Sequence, residues 1–312
     1  MALPTISVII PVYNEAGNLR FLHERLTKVL PEMKRDYEII LVDDGSLDAS
    51  PQILKELVSE DRHVKGIILS RNFGQHTAVC AGFEQAEGDI VVTLDADLQN
   101  PPEEIPKLVA KIEEGFDVVG GIRKERRDPL VRRFISFITN RVASMVVGKE
   151  MRDCGCMLRA YRKRVVDEML QLNYASVFIP TLTASLADRF IEIPVAHEVR
   201  HEGRSKYNLF RFMLIYFDLI TGYSAIPIQL MSVLGFLTSL AGFLFGVFLL
   251  VRRLVIGPDT SQGVFTLMAI LFLFVGLLLL ALGLIGEYIS RIYLEVRGRP
   301  KFRIREILSS KE

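Results

Sequence analysis

Two uninterrupted apolar runs near the C-terminus limit what this chain can fold into more than any other feature. Ile228 to Val251 gives 24 residues without a charge, and Val264 to Gly286 gives 23. About 20 apolar residues in helical form cross a hydrocarbon core. A core helix of a soluble domain is the competing reading. Two such spans, separated only by the Gly257-Pro258 connector from Arg252 to Gly263, favour a transmembrane hairpin at 228–286. Just upstream, Leu209 to Thr221 is apolar but carries Arg211 and Asp218 and is broken by Gly222 and Pro227. That pattern predicts an amphipathic juxtamembrane helix at 208–227, lying in the headgroup zone. Arg204, Lys206 and Arg211 precede the hairpin, and Arg291, Arg297, Arg299, Lys301, Arg303 and Arg305 follow it. The connector has only Arg252 and Arg253, so the positive-inside rule puts both ends of the hairpin in the cytoplasm. Residues 287–312 then form a basic cytoplasmic tail.

The remaining 1–207 must carry the chemistry, and its pattern is that of an α/β domain. Strand signals at Ile6–Ile10, Tyr37–Val42, Gly66–Leu69, Ile90–Leu94 and Asp117–Val119 alternate with helix signals at Gly17–Leu30, Ala49–Val58, Thr77–Ala86 and Glu103–Glu113. Repeated βα units predict a parallel sheet covered on both faces. The first strand is cut by Pro11 and lacks a basic leader, so it is no signal peptide.

Polar groups gather where each strand ends: Pro11, Tyr13, Asn14 and Glu15; Asp43 and Asp44; Arg71; Asp95, Asp97 and Gln99; Arg123. In open α/β sheets ligands bind at the carboxyl ends of strands. A lone D-x-D is usually a solvated turn; here Ile90–Leu94 is an apolar run leading straight into Asp95-Ala96-Asp97-Leu98-Gln99. If the extended geometry continues, the two carboxylates point the same way. Two hard oxygen ligands and a nearby amide oxygen suit a divalent cation with positions left for phosphate.

Several classes are excluded. No G-x-G-x-x-G follows the first strand and no P-loop motif occurs. With 38 basic against 37 acidic residues, a net +1 carries no nucleic-acid stripe. Cys80, Cys154 and Cys156 lack zinc spacing and read as packed thiols in a reducing compartment. From Arg123 to Lys163 arginine and lysine outnumber acids, which solvates a helix face or grips phosphates.

These motifs carry a resemblance. Ile9-Ile10-Pro11-Val12-Tyr13-Asn14-Glu15, Val42-Asp43-Asp44-Gly45-Ser46, Leu94-Asp95-Ala96-Asp97-Leu98-Gln99 and Gly203-Arg204-Ser205-Lys206-Tyr207 together resemble inverting family 2 glycosyltransferases. More narrowly they are similar to polyprenyl-phosphate glycosyltransferases, which share the C-terminal hairpin. The resemblance implies a GT-A Rossmann-like mixed-sheet domain in a bacterial inner membrane, using Mg2+ or Mn2+. The partners it implies are a UDP-sugar donor, undecaprenyl phosphate and the bilayer, with a homotetramer by analogy and no nucleic acid. Carried over by position, Pro11, Tyr13, Glu15, Asp43 and Asp44 would hold the nucleoside. Asp95, Asp97 and Gln99 would bind the metal, with Asp95 also touching the donor, and Arg200 and Lys206 would close over the diphosphate. Arg123, Arg132 and Ser136 would grip the acceptor phosphate; Arg132 and Arg133 differ by one register and are not separated. Asp95, Asp97, Arg123 and Asp153 form the implied catalytic set, with Asp153 facing the sugar.

Asn72-Phe73-Gly74-Gln75-His76, Gln99-Asn100-Pro101-Pro102-Glu103-Glu104-Ile105-Pro106 and Gly155-Cys156-Met157-Leu158-Arg159-Ala160-Tyr161 resemble the branch that handles formamido-arabinose for lipid A modification and antibiotic resistance. Asp153-Cys154-Gly155-Cys156-Met157 departs from the Thr/Ser-Gly-Phe of mannosyl members and favours an aminoarabinose or a glucose donor. A processive polysaccharide synthase would add a Q-x-x-R-W motif, and the chain has no Trp. A nucleotide-sugar sensor would bind donor without releasing UDP. Replacing Asp97 by Ala is expected to abolish turnover while the protein stays folded and in the membrane fraction. Full UDP release by that variant, or by wild type in excess chelator, overturns the metal role.

Overall fold

The computed structural model describes residues 5–123, 140–141, 143–145, 147–172, 178–198, 226–256, 263–296 and 301–309. The chain divides into two units, 1–208 with 299–312, and 209–298. Arg132, Ser136, Arg200, Lys206 and, of the juxtamembrane helix expected at 208–227, residues 208–225 lie outside the described residues.

In the first unit the strands are β1 (Ile6–Val12), β2 (Tyr37–Asp43), β3 (Val64–Leu69), β4 (Ile90–Thr93), β5 (Val118–Arg123), β6 (Arg159–Arg162), β7 (Phe190–Val195) and β8 (Ile304–Ser309). They form one sheet in the order β7-β5-β6-β4-β1-β2-β3-β8. The centre, β4-β1-β2-β3, is parallel, as the βα pattern predicts. The flanks are not. β6 runs antiparallel between β4 and β5, and β8 runs antiparallel along β3.

Period-two alternation sorts the apolar side chains onto two faces. Val8, Ile10, Leu41 and Val92 pack one way against α1 (Ala16–Glu32), α2 (Ser50–Glu60) and α4 (Ile105–Glu113). Ile9, Ile40, Val42 and Val91 pack the other way against α3 (Gln75–Gln85), α5 (Lys163–Gln171) and α6 (Ile179–Leu186). Helix α1 supplies Leu19, Leu22, Leu26, Val29 and Leu30 at three- and four-residue spacing, one buried stripe. Pro51 and Pro106 sit in the first turns of α2 and α4, where a missing N–H costs nothing.

The end of the sheet away from the strand tips is held by a buried polar cluster. Ser7 Oγ donates to Glu38 Oε1 at 2.6 Å and accepts from the Gly88 N–H at 2.8 Å. Glu38 also accepts from the Glu87 N–H and pairs with Lys65 at 3.3 Å.

The second unit holds α7 (Ile226–Ile256) and α8 (Gly263–Val296). Both outrun the charge-free spans and are long and apolar enough to cross a membrane. At 1.5 Å per residue each measures about 45–50 Å. Phe274 lies against Gly242, whose added Cβ would come within 2.8 Å of the ring.

Ser7→Ala removes the hydroxyl that serves both Glu38 and the Gly88 N–H. Leaving buried polar groups unpaired costs about 1–3 kcal/mol. The melting temperature of the solubilised enzyme is expected to fall by several degrees, with turnover at low temperature unchanged. An unaltered melting curve overturns that account.

Candidate active site

Register fixes the site. Ile9 of β1 pairs with Thr93 of β4, and Val12 pairs with Asp43 of β2, so the residues following these strands emerge along one edge. Tyr13 is 39% exposed there. Asn14 turns the chain with φ of +56°, a conformation its short amide side chain tolerates. Its Oδ1 accepts from the Leu47 N–H at 2.8 Å and its own N–H donates to Ser46 Oγ. Ser50 Oγ accepts from the Glu15 N–H at 3.0 Å. The loops after β1 and β2 are therefore stitched into one wall. Gly45 has φ of +70°, and a Cβ there would lie 2.5 Å from the carbonyl carbon of Arg71; only glycine allows the approach.

Asp43 and Asp44 are both buried, and burial pushes both carboxyls up from their ordinary value. Their surroundings differ. Asp43 accepts weakly from the Ser46 N–H, at 3.3–3.4 Å, and lines a cleft of about 510 Å³ with Tyr13, Ser46 and Arg71. Asp44 spends its oxygens on the Phe73 and Gly74 N–H groups, at 2.7 and 2.9 Å. It braces the β3–α3 loop, where the resemblance implies a nucleoside contact.

The extended geometry expected through Asp97 stops early. β4 ends at Thr93 and the chain turns at Ala96-Asp97, with Leu98 at φ of +61°. The two carboxylates nonetheless stay close enough to repel. Burial first, and the Asp97 charge second, push the Asp95 carboxyl up to about 7. Arg123 and a 2.5 Å hydrogen bond from Gln75 Nε2 act the other way. Gln99 donates its backbone N–H to Asp97 Oδ1 and accepts at its carbonyl from the Glu198 N–H. Among the described residues no three His, Cys, Asp or Glu side chains converge on one point. A half-buried pair of carboxylates that resists ionising together fits a divalent cation, with the remaining ligands left to diphosphate and water.

Arg123, at the tip of β5, is held from behind. Asp153 accepts from its Nε at 2.9 Å, its Nη2 at 2.8 Å and its backbone N–H at 3.2 Å. The Asp153 side chain is 1% exposed, so it holds the arginine from inside the protein, where the resemblance implies contact with the sugar. Gly155 makes room: a Cβ there would come within 2.9 Å of Arg123 Nη2. Beneath this loop Arg159 is wholly buried, donating to the carbonyls of Asp153 and Cys156 and pairing with Glu192 at 3.3 Å. A buried arginine of this kind fixes geometry more than it adds stability.

His76 lies beside Gln75 with its ring edge-on to Phe178 at 5.0 Å. Its Nδ1 is buried with no hydrogen-bond partner among the described residues, and burial pushes its pKa down to about 4, helped by Arg159. The imidazole is neutral across the physiological range. Cys154 and Cys156 are buried thiols in the packed interior.

Sequence reasoning quoted Gln75 within a motif but gave it no role, and it missed β6, β7 and the tail strand. Arg305 and Glu306 of β8 also line the 510 Å³ cleft. Nothing in a basic tail signals that it returns to the sheet.

Compared with known proteins, residues 7–170 match the profile described as Glycosyl transferase family 2. An undecaprenyl-phosphate 4-deoxy-4-formamido-L-arabinose transferase of Proteus mirabilis is 50% identical over 309 residues, 98% of this chain and 95% of the relative. One of the same name from Klebsiella pneumoniae is 47% identical over 98% of this chain and 94% of its own. Among solved structures, glucosyl-3-phosphoglycerate synthase from Mycobacterium tuberculosis, in complex with Mn2+, UDP-glucose and phosphoglyceric acid, superposes with a TM-score of 0.51. It is 16% identical, over 70% of this chain and 78% of that one, a likeness of fold.

Because Asp95 must ionise to take a cation, metal binding is expected to weaken as pH falls below about 7, approaching tenfold per unit. Calorimetric titration of Mn2+ between pH about 6 and 8 checks the sign. An affinity that stays flat across that window removes Asp95 from the metal site.

Proposed function

The chain belongs to glycosyl transferase family 2, and we propose that it transfers 4-deoxy-4-formamido-L-arabinose from a UDP-sugar to undecaprenyl phosphate, with inversion at the anomeric carbon. The observation that carries this reading is 50% identity to a transferase of that activity, sustained over 98% of the chain and both apolar helices. The product would serve lipid A modification. The apolar helices α7 and α8 suit membrane association, and the distribution of Lys and Arg supports a cytoplasmic catalytic unit with both ends of the hairpin on the same side.

In the reaction an oxygen of the lipid phosphate attacks the anomeric carbon and the bond to the diphosphate oxygen breaks, releasing UDP. A phosphate monoester is ionised near neutral pH, so the nucleophile needs no strong base. Asp95 and Asp97, with Gln99 beside them, would hold Mg2+ or Mn2+, whose charge stabilises the leaving diphosphate. The solved neighbour crystallised with Mn2+ and UDP-glucose supports a divalent cation in this fold. Tyr13 and Asp43 sit where a nucleoside would rest, Asp43 offering an acceptor to a ring N–H or a ribose hydroxyl. Gln75 keeps Asp95 oriented. Arg123, locked by Asp153, presents a guanidinium whose fork matches two phosphate oxygens, which aligns the acceptor. Arg132 and Ser136 for the acceptor, and Arg200 and Lys206 for the diphosphate, complete the proposed set.

A panel of UDP-sugars incubated with undecaprenyl phosphate and Mn2+ or Mg2+ tests the donor. Labelled lipid is expected from the formamido-arabinose donor alone. Transfer only from UDP-glucose replaces the sugar assignment, and no lipid product from any donor overturns the acceptor.

A further inference from the structure

The last strand enters the catalytic sheet at an unexpected place. Antiparallel pairing of Ile304 with Leu69 and Glu306 with Ile68 brings the start of β8 beside the carboxyl end of β3. Arg305 therefore stands at the mouth of the cleft that holds Asp43 and Tyr13. Its neighbour Glu306 pairs with Lys55 of α2 at 3.0 Å, tying the strand to the cleft's rim. Arg71, on the same rim, lays its guanidinium over the Phe73 ring at 4.9 Å. Arg305 has no such engagement: its side chain is exposed and makes no hydrogen bond or ion pair among the described residues.

Distance decides which end of a ligand it meets. β8 lies four places from β4 in the sheet. At about 4.8 Å per strand that is roughly 19 Å from the carboxylates that would face the diphosphate. A nucleotide laid along this edge with its phosphates at Asp95 and Asp97 runs past β1 and β2 and directs its base toward β3 and β8. A guanidinium is a donor only, so it recognises acceptors; a uracil ring offers carbonyl oxygens on either side of its N–H. Asp43 supplies the complementary acceptor within the same cleft.

We infer that β8, the segment that returns from the membrane hairpin, forms part of the donor site, and that Arg305 binds the pyrimidine end of the nucleotide. The inference rests on the proposed UDP-sugar donor and adds a residue beyond the motifs that identify the family. Its consequence is that the strand following the membrane spans takes part in loading the soluble substrate.

The test uses the full-length enzyme in detergent with Mn2+. Titration with UDP is expected to show about tenfold weaker binding for Arg305→Ala, the loss of one charge-assisted hydrogen bond. Arg305→Lys should recover part of it. Magnesium pyrophosphate, which lacks the base, should bind wild type and Arg305→Ala alike. In turnover the donor KM should rise with kcat at saturation little changed. Arg303→Ala, on the same segment but outside the cleft lining, should match wild type throughout. Equal UDP affinity in Arg305→Ala and wild type overturns the inference while the donor reading stands. Equal weakening toward UDP and pyrophosphate also overturns it, since it marks a diffuse charge effect. A wild-type enzyme that does not bind UDP at all sinks the donor reading, and this inference with it.

Discussion

Parallel pairing of β1 with both β2 and β4 is the constraint from which the site follows. Parallel neighbours cannot be joined by a tight hairpin, so each strand is followed by a helix that carries the chain back. Every loop that leaves a carboxyl end is thereby collected on one edge. Tyr13, Asp43 and Asp95 are far apart in sequence and meet because their strands share a register. Hydrogen bonds between loops, such as those of Asn14 with Ser46 and Leu47, then join the turns after β1 and β2 into one wall.

Behind that wall the charged groups form two tiers. Those at the strand tips are poised: Asp43 lines the cleft with the Ser46 N–H at 3.3–3.4 Å, and Asp95 resists ionisation beside Asp97 despite the hydrogen bond from Gln75. Those beneath are engaged with the protein frame, although Arg159 Nη1 has no hydrogen-bond partner among the described residues. Asp44 is spent on the loop after β3, Asp153 on Arg123, and Glu192 and two carbonyls on Arg159. Burying such groups is costly unless every partner is present. Here they fix the angle of the side chains above them, which a transfer between two anions needs, because orientation carries much of the acceleration.

The parallel half of the sheet was legible because each of its strands is an apolar run ended by polar residues, and each helix has a stripe. Asp95, Asp97 and Asp43, which we propose hold the cation and the nucleoside, were noticeable for the same reason: they stand where strands stop. The two antiparallel strands, β6 and β8, were not. β6 reads Arg159-Ala160-Tyr161-Arg162, a basic tetrapeptide that is a strand only because β4 and β5 flank it and Glu192 neutralises Arg159. The separate duties of Asp43 and Asp44 were equally hidden. Adjacent identical residues look alike in a sequence, and only the loop that folds over one of them distinguishes them.

The final strand has a further consequence for how the protein is made. β3 is complete by residue 69, yet its outer neighbour begins at residue 304, after both apolar helices. At roughly 5–20 residues per second, the ribosome delivers that partner only after about 12–50 seconds. Throughout that interval the edge of β3 is an open row of backbone donors and acceptors, the kind of edge that recruits foreign strands. Completion of the sheet thus waits until both apolar helices have been synthesised. A nascent chain stalled before that step would carry an unfinished enzyme with a sticky margin.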